Sequence, residues 1–327
     1  MLSVELMIGD GTGAKLYLPA VEEEIVWTTE RKGAPGQLNF KVLEDDILDF
    51  EEGSMVSMRE NGDDVFFGFV FKQKKAKEPV ITVTAYDQLR YLKNKDTIVY
   101  ENQTADQLVQ MIAANYSLSA GILENTGYVI ESRVEENTSL FEMIQNALDL
   151  TLTNTGEMFV LYDDFGKLTL KNLSSMMVGR PGAWLMIDEE TGENYEYTSS
   201  IDDNTYNKIK LTYDNDSTGL REVYITQDSV NIGKWGILQY FDTLKKGENG
   251  QAKAEALLKL YNRKTRSLKL TKVLGDNRVR AGSMIVVNLD LDEWNIRNFM
   301  LVESCKHTYR EGEHWMDITL RGGEEIG

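Results

Sequence analysis

Between Ile81 and Asn94 the side-chain period of the chain changes, and the change divides a strand-patterned region from a helix-patterned one. Ile81, Val83 and Ala85 fall on one face of an extended segment, with Thr82 and Thr84 on the other. That two-residue alternation marks a half-buried strand. The β-branched run then stops, and Leu89 and Leu92 stand three apart, the spacing of a helical turn. One strand cannot satisfy both periods, so a β region closes here and a second unit begins. Asp87, where the strand ends, is expected to cap or turn the chain rather than act as a catalytic acid.

Upstream, residues 1–86 read as short strands. Leu6 and Ile8 share parity with Leu16 and Leu18 across Gly9-Asp10-Gly11-Thr12-Gly13. A phosphate-binding loop would end in Lys-Ser/Thr or open a helix. This one opens an alternating segment over residues 14–18, so a hairpin is expected. Further strands are expected near residues 24–28, 38–42 and 55–59. Asn61-Gly62 signals a type I′ hairpin into residues 65–71, which are apolar on both faces and so expected to be covered on both.

From about residue 97 the helical period takes over. Thr104 and Gln107 are placed for a capping box, ahead of a stripe of Leu108, Met111 and Ile112. Ser139 and Glu142 form a second box before Leu140, Ile144, Ala147 and Leu148. Residues 158–162 and 167–171 read as a hairpin across Asp163-Asp164-Phe165-Gly166. That acidic turn lacks the further ligands and closing Glu of a calcium loop. Arg180-Pro181-Gly182 reads as a linker. β character then returns at 209–213 and 223–226, one helix intervenes at 252–261, and four strands follow.

The two β regions repeat each other. Gly53-Ser54-Met55-Val56 recurs as Gly282-Ser283-Met284-Ile285, and Phe67-Gly68-Phe69-Val70 as Phe299-Met300-Leu301-Val302. Ile81-Thr82-Val83 recurs as Ile318-Thr319-Leu320. Three fragments in the same order point to a duplication.

At 327 residues the chain suits two or three domains, and 42% apolar content is that of a globular protein. No apolar run approaches the roughly 18 residues that a spanning helix needs, so no membrane insertion is expected. The N-terminus shows no basic segment and apolar core of a signal peptide. The single cysteine, Cys305, rules out an internal disulfide and fits synthesis in a reducing cytoplasm. A net charge of −18 argues against stable nucleic-acid binding. The acidity serves solubility, or a surface that nucleic acid passes without adhering.

Catalytic candidates are few. Cys305 and His307 share a strand face and would suit a thiol–imidazole pair or a metal. No third group has suitable spacing, so Cys305 is expected to be a small core residue and His307 a strand end. A glycosidase pair cannot be picked out among 53 acids. The tryptophans Trp27, Trp184, Trp235, Trp294 and Trp315 are too scattered to mark a carbohydrate platform. No catalytic residue, metal ligand or cofactor site is expected.

The run Tyr86-Asp87-Gln88-Leu89-Arg90-Tyr91-Leu92-Lys93-Asn94-Lys95-Asp96 closely resembles the signature of XkdQ-like (YqbQ-like) proteins of defective PBSX-type prophages. These belong to the baseplate hub proteins of contractile phage tails and related bacteriocins. The resemblance extends to Thr104-Ala105-Asp106, Thr126-Gly127-Tyr128, residues 147–151 and 162–170, and Val279-Arg280-Ala281-Gly282-Ser283 with His307. It implies a mixed β and α+β fold with two related β-barrel-like domains around a small α/β domain. The divisions expected are 1–95, 96–178 and 179–327, the last carrying an inserted helix at about 250–263. Tyr86, Asp87, Gln88, Leu89, Arg90, Tyr91, Leu92, Gly282 and Ser283 are then structural signature residues. The implied role is a trimeric symmetry adaptor between a six-fold tail tube and a central spike. Its partners would be its own copies, tube, spike, and other baseplate and LysM-type tail proteins in a virion or tailocin particle. A tail-associated peptidoglycan hydrolase or cell-wall-binding module is the alternative.

Overall fold

The computed structural model describes residues 2–322, apart from 13, 193, 203, 216–217, 245–247 and 292–293. The first β region holds β1 (Val4–Gly9), β2 (Leu16–Tyr17), β3 (Val21–Glu30), β4 (Gln37–Leu43), β5 (Met55–Glu60), β6 (Asp63–Lys75) and β7 (Val80–Tyr86). A short 3-10 helix, Gln88–Lys93, leads into a middle unit. That unit comprises β8 (Lys95–Gln103), α1 (Ala105–Asn115), β9 (Ala120–Leu123), β10 (Ile130–Ser139), α2 (Leu140–Thr155), β11 (Phe159–Asp163) and β12 (Leu168–Asn172). The small strands β13 (Gly179–Arg180), β14 (Ala183–Trp184) and β15 (Met186–Ile187) precede β16 (Asn194–Ser200), β17 (Lys208–Asn215) and β18 (Leu220–Gln227). Then come α3 (Ser229–Trp235), β19 (Gln239–Thr243), α4 (Gly250–Tyr261), β20 (Thr265–Leu274), β21 (Met284–Leu291), β22 (Trp294–Arg310) and β23 (Glu313–Arg321).

Local sequence explains most of these elements. Asn61 and Gly62 both have positive φ, as the tight turn between β5 and β6 requires. Phe66 and Val70 on β6 are buried in the first core. Phe67, Phe69 and Phe71 on its other face meet Phe165, Tyr91 and Tyr86, so the two faces are covered by different parts of the chain. The β1–β2 hairpin forms but is brief, pairing only Ile8 with Tyr17 and Gly9 with Leu16. Gly13 in its loop lies outside the described residues. The Ser139–Glu142 box is complete. At α1 only half of the box forms: Gln107 accepts from Thr104 N at 3.0 Å, while Thr104 Oγ1 has no partner and Thr126 Oγ1 accepts from Ala105 N. The buried faces of α1 and α2 form the middle core with β8, β10, β11 and β12.

The duplication is visible in backbone hydrogen bonds. Gly53 N donates to Val70 O and Val70 N to Ser54 O, each at 2.8 Å. In the second region Gly282 N donates to Val302 O at 2.8 Å and Val302 N to Ser283 O at 2.9 Å. Ser54 Oγ accepts from Glu51 N at 3.0 Å, as Ser283 Oγ does from Arg280 N at 3.1 Å. Both glycines sit at positive φ, 95° and 93°. A register shift follows at the same place, after Val70 and after Val302. Strand order matches as well: β3-β4-β7-β6-β5-β1 in one half, β16-β20-β23-β22-β21-β15 in the other. The last pair departs, since β1 is antiparallel to β5 and β15 parallel to β21.

Three expectations are corrected. Val70 faces Ala85 and Val302 faces Leu320, so Ile318 corresponds to Val83 rather than Ile81. A shift of two keeps every side chain on its face, which is why periodicity does not detect it. Arg180-Pro181-Gly182 is the turn of the β13–β14 hairpin, with Gly182 at φ 81° and Val178 buried in the second core, so it is not a linker. The helix at 252–261 is α4, but it belongs to an inserted unit containing the sheet β18-β17-β19 and α3. That unit has its own core of Ile209, Leu211, Leu244, Ala254 and Leu257. The seven-residue α3 buries no side chain and therefore leaves no apolar stripe to read. The insertion falls between β16 and β20, where the first half has only the turn between β3 and β4.

The two related β regions are halves of one 13-stranded sheet. β22 pairs with β3 from Ser304↔Glu30 to Arg310↔Glu24. Among the described residues no ladder closes either half into a complete ring. Gly53 and Gly282 offer an internal control. A Cβ at Gly53 meets nothing within 4 Å, whereas one at Gly282 would lie 2.3 Å from Val160 Cγ1. Gly53→Ala is expected to cost about 1 kcal/mol through φ alone. Gly282→Ala is expected to cost roughly 1–3 kcal/mol more, from overpacking against the middle unit. Urea unfolding of both variants measures the difference.

Candidate functional site

Residues 86–92 link the first β half to the middle unit, and Gly282 of the second half packs against Val160 of that unit. Asp87 ends β7 and caps the 3-10 helix, accepting from Leu89 N at 3.0 Å. Its other oxygen accepts from Gly36 N at 2.9 Å, at the turn between β3 and β4. A Cβ on Gly36 would lie 2.4 Å from that oxygen, so only glycine lets the carboxylate reach the backbone. Gln88 clamps Ser119, accepting from its N at 3.0 Å and donating to its O at 3.1 Å. Leu89 and Leu92 are buried in the middle core. Arg90 lies over Phe71, and Tyr91 packs against Phe69 and Phe71. Tyr86 meets Phe71 edge-on. Asp87 is thus a cap, as its place at the strand end implies, and the run around it ties the first β half to the middle unit.

Arg280 completes the junction from the second half. Its guanidinium lies 4.2 Å from the centre of the Tyr162 ring and 5.8 Å from that of Trp27. Asp87 is buried, and burial followed by the charge of Asp163 pushes its carboxyl well above the usual carboxylate range. Burial also raises Asp163, while the Gly166 N–H and the Arg280 charge oppose the rise. Two carboxyls from separate units therefore feel the charge of one guanidinium from a third. Asp163 Oδ2 and Arg280 Nε have no hydrogen-bond partner. A cavity of about 490 Å³ opens beside them, lined in part by Asp64, Tyr162, Phe165, Arg278 and Arg280. Sequence reasoning read Asp163 as part of a turn and gave Arg280 no role. The signal available was Arg280 immediately before the repeated Gly-Ser.

A second buried network crosses the seam between β22 and β3. His307 Nε2 lies 2.8 Å from Val279 O and 3.1 Å from Cys305 Sγ. His307 Nδ1 lies 2.9 Å from His314 Nε2, and His314 Nδ1 lies 3.2 Å from Glu60 Oε1. Tyr309 donates its hydroxyl to Glu60 Oε2 at 3.2 Å. A carbonyl accepts only, so His307 Nε2 carries the hydrogen and Nδ1 accepts from His314. Spacing along the sequence had offered no third group for Cys305 and His307; the fold supplies His314 and, from the first half, Glu60. His307 also lies within β22 rather than at its end, stacked on Trp27 at 4.6 Å.

This constellation is closed to substrate. Cys305 and His307 are both fully buried. Burial pushes the Cys305 thiol up, away from a reactive thiolate. Burial, with His314 beside it, lowers His307 to about 3. No group of three metal-ligating side chains occurs among the described residues. Trp27 is buried, and Trp184, Trp235 and Trp315 are half-buried on separate elements. The side chain of Trp294 lies outside the described residues. The thiol and imidazoles of this network lie inside a junction of folded parts.

The fold is one that solved prophage tail proteins share. The 43 kDa tail protein of prophage MuSo2 from Shewanella oneidensis superposes with a TM-score of 0.67 over 97% of this chain and 96% of its own, at 13% identity. The chain belongs to the YQBQ-like family, whose sequence profile matches residues 25–321. It is 31% identical over 316 residues to the uncharacterized protein YqbQ of Bacillus subtilis strain 168, covering 93% of each chain. It is 29% identical, with the same coverage, to the phage-like element PBSX protein XkdQ of that strain.

Two outcomes are expected. Arg280→Ala removes the guanidinium over the Tyr162 ring and a positive charge that opposes the rise of both carboxyls, and is expected to cost about 1–2 kcal/mol, whereas Asp163→Asn keeps an acceptor for Gly166 N and is expected to cost less. Chemical denaturation of both variants checks the ranking. His307 has a folded pKa below its unfolded 6.5, so the unfolded chain takes up the proton first as pH falls. Its contribution is intact above pH 6.5 and is lost progressively towards about 3, by up to about 1.4 kcal/mol per pH unit. The raised Asp87 and Asp163 act in the opposite sense, since the folded state holds their protons to higher pH. Urea midpoints between pH 7 and 5, wild type against His307→Asn, isolate the histidine: the variant's slope is expected to lack this component.

Proposed function

We propose that the chain is a non-enzymatic baseplate hub of a contractile tail particle, working as a ring of three copies. The observation that carries this reading is the duplication, in which two β halves reproduce the same Gly-Ser hydrogen-bond frame and strand order. Three such chains offer six similar faces, which is what a trimer needs to dock a six-fold tube. The tube protein would sit on one side of the ring and a central spike on the other, with LysM-type and other baseplate proteins around it. The relationship to the phage-like element protein XkdQ supports a place in a tail particle, after synthesis in the bacterial cytoplasm. The burial of Cys305, His307 and His314 supports a structural rather than a hydrolytic role. Part of the −18 charge would line the channel and keep DNA from adhering, an effect screened over about 8 Å at physiological salt.

Counting hub copies in assembled particles by cryo-EM tests the proposal: three are expected, and six would overturn it. Zymography against peptidoglycan tests the absence of catalysis. No clearing is expected, whereas lysis that disappears in Cys305→Ala or His307→Ala would make the chain a hydrolase.

A further inference from the structure

The duplication assigns positions as well as resemblance. With Val302 matched to Val70, Ser304 to His307 of β22 correspond to residues 72–75 at the end of β6. Leu38 faces Ala85 and Leu268 faces Leu320, so β4 matches β20; Trp27 facing Leu38 and Tyr197 facing Leu268 then match β3 to β16. Within the chain the second half of β22 pairs with β3. Its counterparts, the end of β6 and the whole of β16, are not paired with each other. Among the described residues β16 is an edge strand bonded to β20 alone, and β5 stops pairing with β6 at Phe69. Each half thus presents one free edge where the other is joined.

We propose that these two edges are the seam between neighbouring copies of this chain, the end of β6 of one copy adding antiparallel to β16 of the next. The inference rests on the ring reading above and specifies its interface. Transferring the β22–β3 register places Lys72 opposite Ser200, Gln73 opposite Ser199, Lys74 opposite Thr198 and Lys75 opposite Tyr197 of the neighbour. Charge favours the same occupant. Lys72, Lys74, Lys75 and Lys77 are exposed at the β6 end, while Glu189, Glu190, Glu196 and Asp202 are exposed around β16. In a chain of net charge −18 a lysine-rich edge facing an acid-flanked edge is selective for another copy. Unpaired backbone on an edge strand is an aggregation hazard unless it is paired or guarded, and ring closure pairs it. The intrachain seam supplies the template, so the proposal is a repeat of a junction already present.

Cysteine crosslinking in assembled particles tests the register. The full chain carrying Lys74→Cys with Thr198→Cys is oxidised, the buried Cys305 being left in place, and Lys74→Cys with Ser200→Cys serves as the off-register control. Wild-type copy number is read separately by native mass spectrometry of the released hub. Disulfide-linked trimers are expected from the first pair, and at least tenfold fewer from the control. A trimeric hub with no link at Lys74–Thr198, or with equal links in both variants, overturns the edge pairing and leaves the ring intact. A hub present as single copies overturns both.

Discussion

The ladder between β22 and β3 is the interaction on which the architecture depends. It converts two related β regions into one sheet across more than 270 residues of sequence, from Glu30 to Ser304. Side chains reinforce it on both faces. Arg31 donates to Glu303 through Nε at 2.7 Å and Nη2 at 3.1 Å, a bidentate pair with the Arg31 side chain only 6% exposed. On the core side Trp27 stacks on His307, and Thr29 Oγ1 accepts from Ala281 N at 2.9 Å. Because one strand edge is consumed in this junction, the opposite edge of each half is left for other contacts.

The middle unit is held against this sheet by polar groups rather than by apolar area alone. Asp87, Gln88 and Arg280 each reach from one part of the chain into another, and Gly36 and Gly282 are glycines because a side-chain atom of a neighbouring part occupies the place of a Cβ. Directional contacts of this kind fix relative orientation, which apolar packing between smooth surfaces does less well. The buried Glu60–His314–His307 chain does the same for the two β halves, with its Glu from one and its histidines from the other.

The sequence reading recovered elements well and junctions poorly. Strands with clean alternation, the Asn61-Gly62 and Phe165-Gly166 turns, and α2 with its complete box all appear where local rules place them. The repeat fragments around Gly53 and Gly282 matched residue for residue, because an αL glycine followed by a bonding serine is a backbone requirement written in the sequence. The third fragment slipped by two, and α3 went unseen, because neither error disturbs an apolar pattern. The inserted sheet was likewise read as part of the second β region, since strand character carries no label for the sheet it joins.

By itself the sequence determined the β-to-α change at residues 81–94, the duplication and the scarcity of thiol and imidazole side chains, one cysteine and two histidines in 327 residues. Each depends on periodicity, identity or residue scarcity, which are properties of neighbours in the chain. Only the tertiary structure decided that β3 pairs with β22, that Asp163 and Arg280 gather around Asp87, and that Glu60 meets His314. Those are contacts between residues tens to hundreds of positions apart. Many strand edges and many charged side chains could satisfy them equally well in one dimension. The choice among them is made by packing the halves and the middle unit together, which no local pattern encodes.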